Sequence, residues 1–407
     1  MTLDYCPKLR PIHPQPAVAQ GQPILLLQDP LQLAETAVFM PQVLAPVLAF
    51  CDGTRNLNEL RATLIIRAGI SLSVGELEYI VARLDQALLL ENDRSAAALW
   101  AAVESFRALP FRPPTLAGNG YPAEPKPLCV MLDGYLAALP DGRPSYHPLR
   151  GLVSPHIDYQ RGGPVYARVW QQAAQAVREA EVVVILGTDH NGGLGRITLT
   201  RQNYATPYGV LPTDTAVVDA IAQAIGEQAA FGEELHHRTE HSIELAAVWL
   251  HHMRGGEACA VVPILTGSFY HFVQAKGAAP AEDSTIAQTM RVLQRELQGR
   301  AAVVVAAGDL AHIGPAFGDP RPVDMVGKAQ LQAQDEQLMH VICSGDAEAF
   351  FQTLRAEQDQ RNVCGLPPIY LMLRLLENAQ GEPAGYDRCP ADAHHTSFVS
   401  ICGIVFG

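Results

Sequence analysis

EVVVILGTDHNGG, residues 181–193, indicates the fold class, because its five consecutive apolar residues are followed by a polar cluster at Asp189 and His190. A short, β-branched apolar run is typical of a strand buried on both faces of a sheet. We predict strands at 149–154, 181–187, 197–200, 258–265, 301–307 and 397–406. Between them we predict helices at 166–179, 215–225, 240–253, 285–297 and 366–377. This alternation indicates an α/β layered domain with a central, mostly buried β-sheet flanked by helices.

Two other predicted strands end in the same way as the first. GLVSPHIDY ends a strand at His156, and AVVVAAGDLAHIG ends another at Asp309 and His312. Ligands of open α/β sheets bind in the crevice beyond the carboxyl ends of the strands. A single histidine of this kind is more often a hydrogen-bonded structural residue, but three such strand ends favour a shared site that includes His190.

Cys364 is a further candidate for this site. It stands just before a predicted helix whose Pro367 and Pro368 suit the first turn. A thiol at a helix N-terminus has a lowered pKa, which makes it a better nucleophile or metal ligand. The alternative is a buried, inert cysteine, and the residues leave both interpretations open.

A histidine-rich segment, HHRTEHSIEL, gives one more candidate. We predict that Thr239 caps a helix and that Glu240 complements its dipole, which places His241 in the first turn, facing the crevice. His237 lies four residues before His241, but it precedes the predicted cap, so the spacing is weak support for a metal pair.

Residues 1–95 predict a small α+β module with the shape of a winged helix. Ser73 and Glu76 form a capping-box pattern at the start of one predicted helix, and a second helix is predicted to be capped near Asn56 or Asn58. The segment ALLLEN indicates a wing or hairpin strand. The module resembles the PqqD-like winged helices, which bind peptides or partner proteins. With seven Lys/Arg against ten Asp/Glu it is acidic, so we predict partner binding or structural support over DNA binding.

A helix and a proline-rich linker at 96–117 separate this module from the α/β domain, 118–407. Six prolines and two glycines among residues 110–127 are typical of a linker or an extended segment. The net charge of −13 argues against a nucleic-acid surface. The apolar runs are too short for a membrane span, and the N-terminus lacks a signal-peptide pattern. Eight cysteines without a CxxC pair favour a reducing, cytoplasmic compartment.

The second domain resembles the Memo family along about 70% of the chain. The resemblance is carried, in this order, by YPAEPKPLCVMLDGYL, SPHIDYQRGGPVYA, LGTDHNGGLGRITLT, YATPYGVLPTDTAVV, EHSIEL, VVPILTG, AAGDLAHIG and CGLPPIYLML. In prokaryotes such proteins are component B of the AmmeMemoRadiSam system, which implies AMMECR-type and radical S-adenosylmethionine partners.

The resemblance also implies a fold and a ligand set. Memo proteins are similar in fold to the class III extradiol dioxygenases, which are non-haem iron enzymes with a facial triad of two histidines and a carboxylate. It implies metal ligands His156, His190 and Cys364. It implies catalytic roles for Asp309, His312 and His241, which are the neighbouring acid and bases.

Three motifs depart from the usual family pattern. SPHIDY replaces a PHAGY-like string and adds Asp158, GTDHNGG replaces GPSHH and adds Asp189, and CGLPPI lacks the basic residue and histidine of a CGRHPI-like string. The implied metal ligands are retained in all three motifs. The changes bear on substrate or anion recognition.

Three functional hypotheses remain open. The first is an oxidoreductase that uses iron(II), with copper or zinc as alternatives, because two imidazoles and a thiolate suit all three metals. The second is a non-catalytic metal-binding or scaffold protein that recruits a peptide or protein partner. The third is a hydrolase with Cys364 as nucleophile and His312 as base.

Overall fold

The computed structural model describes residues 5–12, 14–140, 149–274 and 279–407. Contacts divide the chain into two compact units, Met1–Ala108 and Leu109–Gly407. The helix between the two predicted domains ends at Arg107 and so belongs to the first unit. The proline-rich residues from 109 onward belong to the second.

The described part of the first unit contains an antiparallel sheet with strand order β1-β2-β3, followed by four α-helices. Its elements are β1 Gln15–Ala19, β2 Gln22–Leu27, β3 Val38–Pro41, α1 Ala45–Phe50, α2 Leu57–Ala68, α3 Val74–Gln86 and α4 Asp93–Arg107. The sequence predicted a strand at each edge of the helices, whereas this sheet precedes them. The ALLLEN segment contributes one isolated bridge, between Leu90 and Leu9.

Helix α3 is amphipathic and supplies much of this unit's core. Leu77, Val81 and Leu84 are buried against the apolar side chains of the sheet and α2. The helix ends at Gln86, and Leu88, just beyond it, has a positive φ of 57°. The observed core face therefore covers only the first three turns.

Both predicted helix caps of this unit are present. Asn56 caps α2 and Ser73 caps α3, each in a capping box with the glutamate three residues later. The Ser73 Oγ accepts the Glu76 N–H at 3.2 Å, and the Glu76 carboxylate accepts the Ser73 N–H at 2.8 Å. These bonds satisfy backbone donors that have no partner within the helix.

We predict that Ser73→Ala lowers the stability of α3 by about 1 kcal/mol, because one first-turn donor loses its acceptor. Hydrogen exchange of the α3 amides measures this as a lower free energy of opening. Ser71→Ala, at an exposed residue before the cap, is the matched control. Equal exchange in the two variants would contradict the prediction.

The second unit is built around a mixed sheet of eight strands within the described residues. Its order is β11-β13-β4-β10-β5-β9-β6, with β12 paired to β13. Strands β4, β10, β5 and β9 run parallel, and β13 and β6 are antiparallel to their neighbours. A further pair, β7 and β8, forms a separate hairpin.

The strands of the second unit are β4 Gly151–Ser154, β5 Val182–Thr188, β6 Ile197–Leu199, β7 Tyr204–Thr206, β8 Gly209–Leu211, β9 Ala260–Thr266, β10 Ala302–Ala307, β11 His312–Ile313, β12 Gly381–Pro390 and β13 Phe398–Phe406. Its helices are α5 Pro125–Ala137, α6 Tyr159–Glu179, α7 Thr215–Ile225, α8 Glu227–Phe231, α9 Ser242–Met253, α10 Tyr270–Gln274, α11 Ser284–Leu297, α12 Met325–Cys343, α13 Ala347–Ala356 and α14 Leu366–Leu376. Two apolar cores pack helices against the two faces of the sheet.

This architecture confirms the predicted α/β class, with a central mixed sheet flanked by helices. The sequence did not predict strand β12 or helices α5, α12 and α13. No helix formed by the described residues combines the length and the apolar character needed to cross a membrane.

Candidate metal centre

Three neighbouring parallel strands bring the predicted strand-end residues together. In the register of the sheet, Ala307 at the end of β10 pairs with Ser154 of β4 on one side and Gly187 of β5 on the other. The chain leaves these strands into His156, Asp309 and His190. These side chains therefore converge at one edge of the sheet, as predicted from the strand ends.

His156, His190 and His241 form a compact group of imidazoles. The ring centroids are 5.0 Å apart for His156 and His190, 5.4 Å for His156 and His241, and 5.0 Å for His190 and His241. Cys364 completes the group, with its Sγ 3.3 Å from the His156 Nε2. One donor atom each from His156, His190 and Cys364 lie within 4.8 Å of one another, which is close enough to hold one metal ion.

In each of these three imidazoles Nδ1 already has a partner. The His156 Nδ1 lies 3.1 Å from the Ala307 carbonyl oxygen. The His190 Nδ1 lies 3.0 Å from Oε2 of Glu240, and the His241 Nδ1 lies 3.1 Å from Oε1 of the same carboxylate. In a neutral ring, an acceptor at Nδ1 holds the single proton there and leaves the lone pair on Nε2 for a metal. This is the usual orientation of metal-binding histidines.

Glu240 also belongs to this group, which the sequence did not predict. Its carboxylate also accepts the backbone N–H groups of His190 at 3.1 Å, His241 at 2.7 Å and Ser242 at 3.0 Å. Helix α9 begins at Ser242, with His241 at the capping position, so the predicted cap at Thr239 is wrong. The buried Glu240 side chain instead connects two imidazoles to the start of α9.

The charges of Glu240 and His190 depend on each other. Burial favours the neutral form of each group, but their mutual attraction and hydrogen bond prevail. The pKa of the Glu240 carboxyl is therefore well below its usual range, and the pKa of His190 is well above it. In the metal-free protein the pair is an ionised carboxylate and an imidazolium.

Asp309 and His312 lie beside this group, as predicted. The Asp309 Oδ1 accepts the His156 backbone N–H at 2.8 Å, and its Oδ2 lies 3.8 Å from the His156 Nε2. The His312 Nδ1 lies 3.2 Å from each of two carbonyl oxygens, of Leu310 and Asn362. Burial lowers the pKa of His312, so its ring is neutral with a free lone pair on Nε2.

Of the two interpretations left open for Cys364, the structure favours the buried thiol without a lowered pKa. The thiol precedes α14 as expected, and Pro367 and Pro368 occupy the first turn. Burial nevertheless raises its pKa and outweighs the hydrogen bond from His190. The thiol also contacts the Asp309 carbonyl oxygen at 3.7 Å. Without a metal, Cys364 is therefore a neutral thiol, which disfavours the nucleophile hypothesis.

The two additional acids of the altered motifs have other partners. Asp158 caps helix α6 and pairs with Arg161 at 2.6 Å. The buried Asp189 pairs with His236, Oδ2 to Nδ1 at 2.8 Å, and accepts the Asn191 N–H. His237 is fully buried between Tyr204 and the Thr198 carbonyl oxygen, and so serves a structural role.

The fold and the site define a class: a mixed α/β protein with a His/His/Cys donor set at the carboxyl edge of its central sheet. A family model described as "Memo-like protein" matches residues 112–404. The chain therefore belongs to the Memo family. The match begins just inside the second unit, which makes that unit the family's common part.

Curated relatives agree with this assignment. A MEMO1 family protein of Aquifex aeolicus is 23% identical over 94% of this chain and 95% of its own length. One of Archaeoglobus fulgidus is 27% identical over 73% of this chain and 99% of its own length. One of Thermus thermophilus is 25% identical over 81% of this chain and 92% of its own length. The Archaeoglobus match shows a relative whose whole length corresponds to about three quarters of this chain.

Proposed function

We propose that the second unit is a cytoplasmic, metal-dependent oxidoreductase related in fold to the class III extradiol dioxygenases. His156, His190 and Cys364 would hold the metal, and iron(II) is the first candidate, with copper or zinc as alternatives. Asp309, His312 and His241 would be the catalytic residues around it.

One observation carries this proposal: three clustered imidazoles each have an acceptor at Nδ1, and a thiol lies 3.3 Å from the Nε2 of one of them. A cluster of structural histidines would not need the same nitrogen secured in every ring. Nitrogen and sulfur donors suit iron(II), copper(I) and zinc, and do not suit magnesium or calcium. The donor set therefore fits a transition metal.

The protein's own groups have separate tasks in this proposal. When bound, the metal supplies a Lewis acid and, in the case of iron, a redox centre. The neutral His312 accepts a proton from the substrate at Nε2, since its Nδ1 is occupied by carbonyl oxygens. Asp309 holds the His156 backbone in place, and His241 presents a third imidazole beside the ligands.

Anaerobic purification followed by elemental analysis tests the metal. We expect close to one equivalent of a transition metal per chain, and less than a tenth of an equivalent would contradict the proposal. The iron(II)-loaded protein is then assayed for oxygen uptake with a panel of catechols. His312→Ala should retain the metal and lose roughly 100-fold or more of that uptake, as expected for a general base.

Glu240 gives a separate prediction. We expect Glu240→Gln to weaken metal binding by about 10–100-fold, because losing an outer-shell partner of metal-binding histidines has this effect. Here one carboxylate orients both His190 and His241. Competition with a chelating dye measures the affinity. Glu257→Gln, at an exposed residue, is the control, and equal affinity in both variants would contradict the role.

A second candidate function is recruitment of a partner by the first unit, as in the PqqD-like winged-helix modules. Its sheet region exposes large apolar side chains, with Val18 75%, Phe39 66% and Val43 70% exposed. Exposed aromatic and aliphatic side chains are common anchors of protein–protein interfaces, and Phe39 is the aromatic one here. An AMMECR-type protein and a radical S-adenosylmethionine enzyme are the proposed partners. Phe39→Glu in the full chain should abolish their co-purification, and unchanged co-purification would exclude this surface.

A further inference from the structure

A second group of metal-ligand side chains lies on the surface of the second unit. Cys129 and Asp133 stand one turn apart on α5, and His252 lies in the last turn of α9. The Cys129 Sγ is 3.1 Å from Oδ2 of Asp133, and the His252 Nε2 is 3.2 Å from Oδ1 of the same carboxylate. We propose that these three side chains form a zinc site separate from the metal centre described above.

The spacing of the donor atoms comes close to what zinc requires. Tetrahedral zinc, with bonds of about 2.0 Å to nitrogen and oxygen and 2.3 Å to sulfur, separates its ligand atoms by about 3.3–3.6 Å. The contacts of Cys129 and His252 with Asp133 are slightly shorter, at 3.1 and 3.2 Å, and go to the two different oxygens of that carboxylate. One donor atom from each of the three residues lies within 4.8 Å of the others. Small side-chain movements would therefore complete the coordination.

His252 is held in the orientation that such a site needs. Its side chain is only 7% exposed, and its Nδ1 lies 3.0 Å from the Tyr208 hydroxyl, so Nε2 points to Asp133. A hydroxyl both donates and accepts, so Tyr208 can accept the Nδ1–H when Nε2 binds a metal. Asp133 is 60% exposed, which leaves water access for a fourth ligand.

The proposed zinc site is independent of the metal centre and of the proposed function. His241 precedes α9 and His252 lies near its end, eleven positions later, which at 1.5 Å per residue places them about 16 Å apart. No residue is shared between the two groups. A metal at the second group would join α5 to α9. Because it would bind the folded second unit and not the unfolded chain, it would also stabilise the fold.

Cobalt(II) is the probe for this site, because a thiolate ligand gives it a strong near-ultraviolet charge-transfer band. In full-length Cys364→Ser protein, we expect this band to appear with one equivalent of cobalt and to disappear on addition of zinc. Adding Cys129→Ser should abolish it, and Asp133→Asn or His252→Ala should weaken binding at least tenfold. Adding Cys343→Ser instead, at a half-buried thiol outside both groups, should leave it unchanged.

A measurement on the unmodified chain guards against variants that fail to fold. Zinc should slow the alkylation of Cys129 at least tenfold, as followed by peptide mass spectrometry, while that of Cys343 stays constant. Two results would overturn the proposal. One is a cobalt–thiolate band that survives Cys129→Ser, and the other is Cys129 alkylation that proceeds at the same rate with and without zinc.

Discussion

Glu244→Ala is expected to lower the free energy of unfolding of the second unit by about 3–5 kcal/mol, because it leaves a buried arginine without its counter-ion. Glu244 pairs with Arg112, and both side chains are 0% exposed. The same carboxylate accepts the backbone N–H groups of Thr115 at 2.9 Å and Leu116 at 2.8 Å. The variant therefore also leaves the N–H groups of Thr115 and Leu116 without this acceptor.

Urea denaturation at pH 7 measures this loss, with Glu257→Ala as the exposed control. The double variant Arg112→Met/Glu244→Leu should recover a large part of the stability, because it removes both charges instead of leaving one uncompensated. A loss below 1 kcal/mol for Glu244→Ala would show that water reaches the guanidinium of Arg112.

The stabilisation by Glu244 should also depend on pH. Burial opposes ionisation, but Arg112 and the hydrogen bonds prevail, so the pKa of the Glu244 carboxyl is lowered in the folded protein. Its contribution is fully present above the unfolded pKa of about 4.3 and is lost as the pH falls through the lower folded value. The difference in stability from Glu244→Gln should therefore shrink in acid.

This ion pair shows where the sequence could not predict the structure. Prolines and glycines at 110–127 are typical of a linker, and their composition alone favours that interpretation. The buried Arg112 gives the segment a fixed place, yet its partner lies more than a hundred residues further along the chain. No local pattern carries that information. The start of α6 was also missed, since the helix was predicted from residue 166 but begins at Tyr159 and contains Pro164.

The strand ends were predictable for a physical reason. Buried parallel strands are apolar throughout, so the first polar residue after each marks the edge of the sheet, and all such edges coincide. The positions of four residues after these strands were therefore enough to predict that they meet: His156, His190, Asp309 and His312. The contacts of Glu240 were not predictable in this way, because they depend on where α9 begins. The raised pKa of Cys364 was not predictable either, because it follows from tertiary burial.

The largest effect on metal binding is expected from the proposed ligands. His156→Ala and Cys364→Ser should each weaken binding by more than about 100-fold, beyond the loss expected for outer-shell partners. Each variant removes one of three protein donors. The loss of affinity should be larger for His156→Ala, because His156 is buried and its Nε2 lies 3.3 Å from the thiol. Chelator competition on the full chain measures both affinities.

A comparison of Cys364 with Asp309 then decides the third ligand. Asp309→Asn keeps an oxygen that accepts the His156 backbone N–H, so it removes the charge without disturbing the loop. If Cys364 is the ligand, Asp309→Asn should stay within about tenfold of the unmodified chain while Cys364→Ser falls by more than about 100-fold. The reverse order would assign the third position to Asp309. Its Oδ2 lies 3.8 Å from the His156 Nε2, so a carboxylate triad like that of the extradiol dioxygenases would then hold the metal.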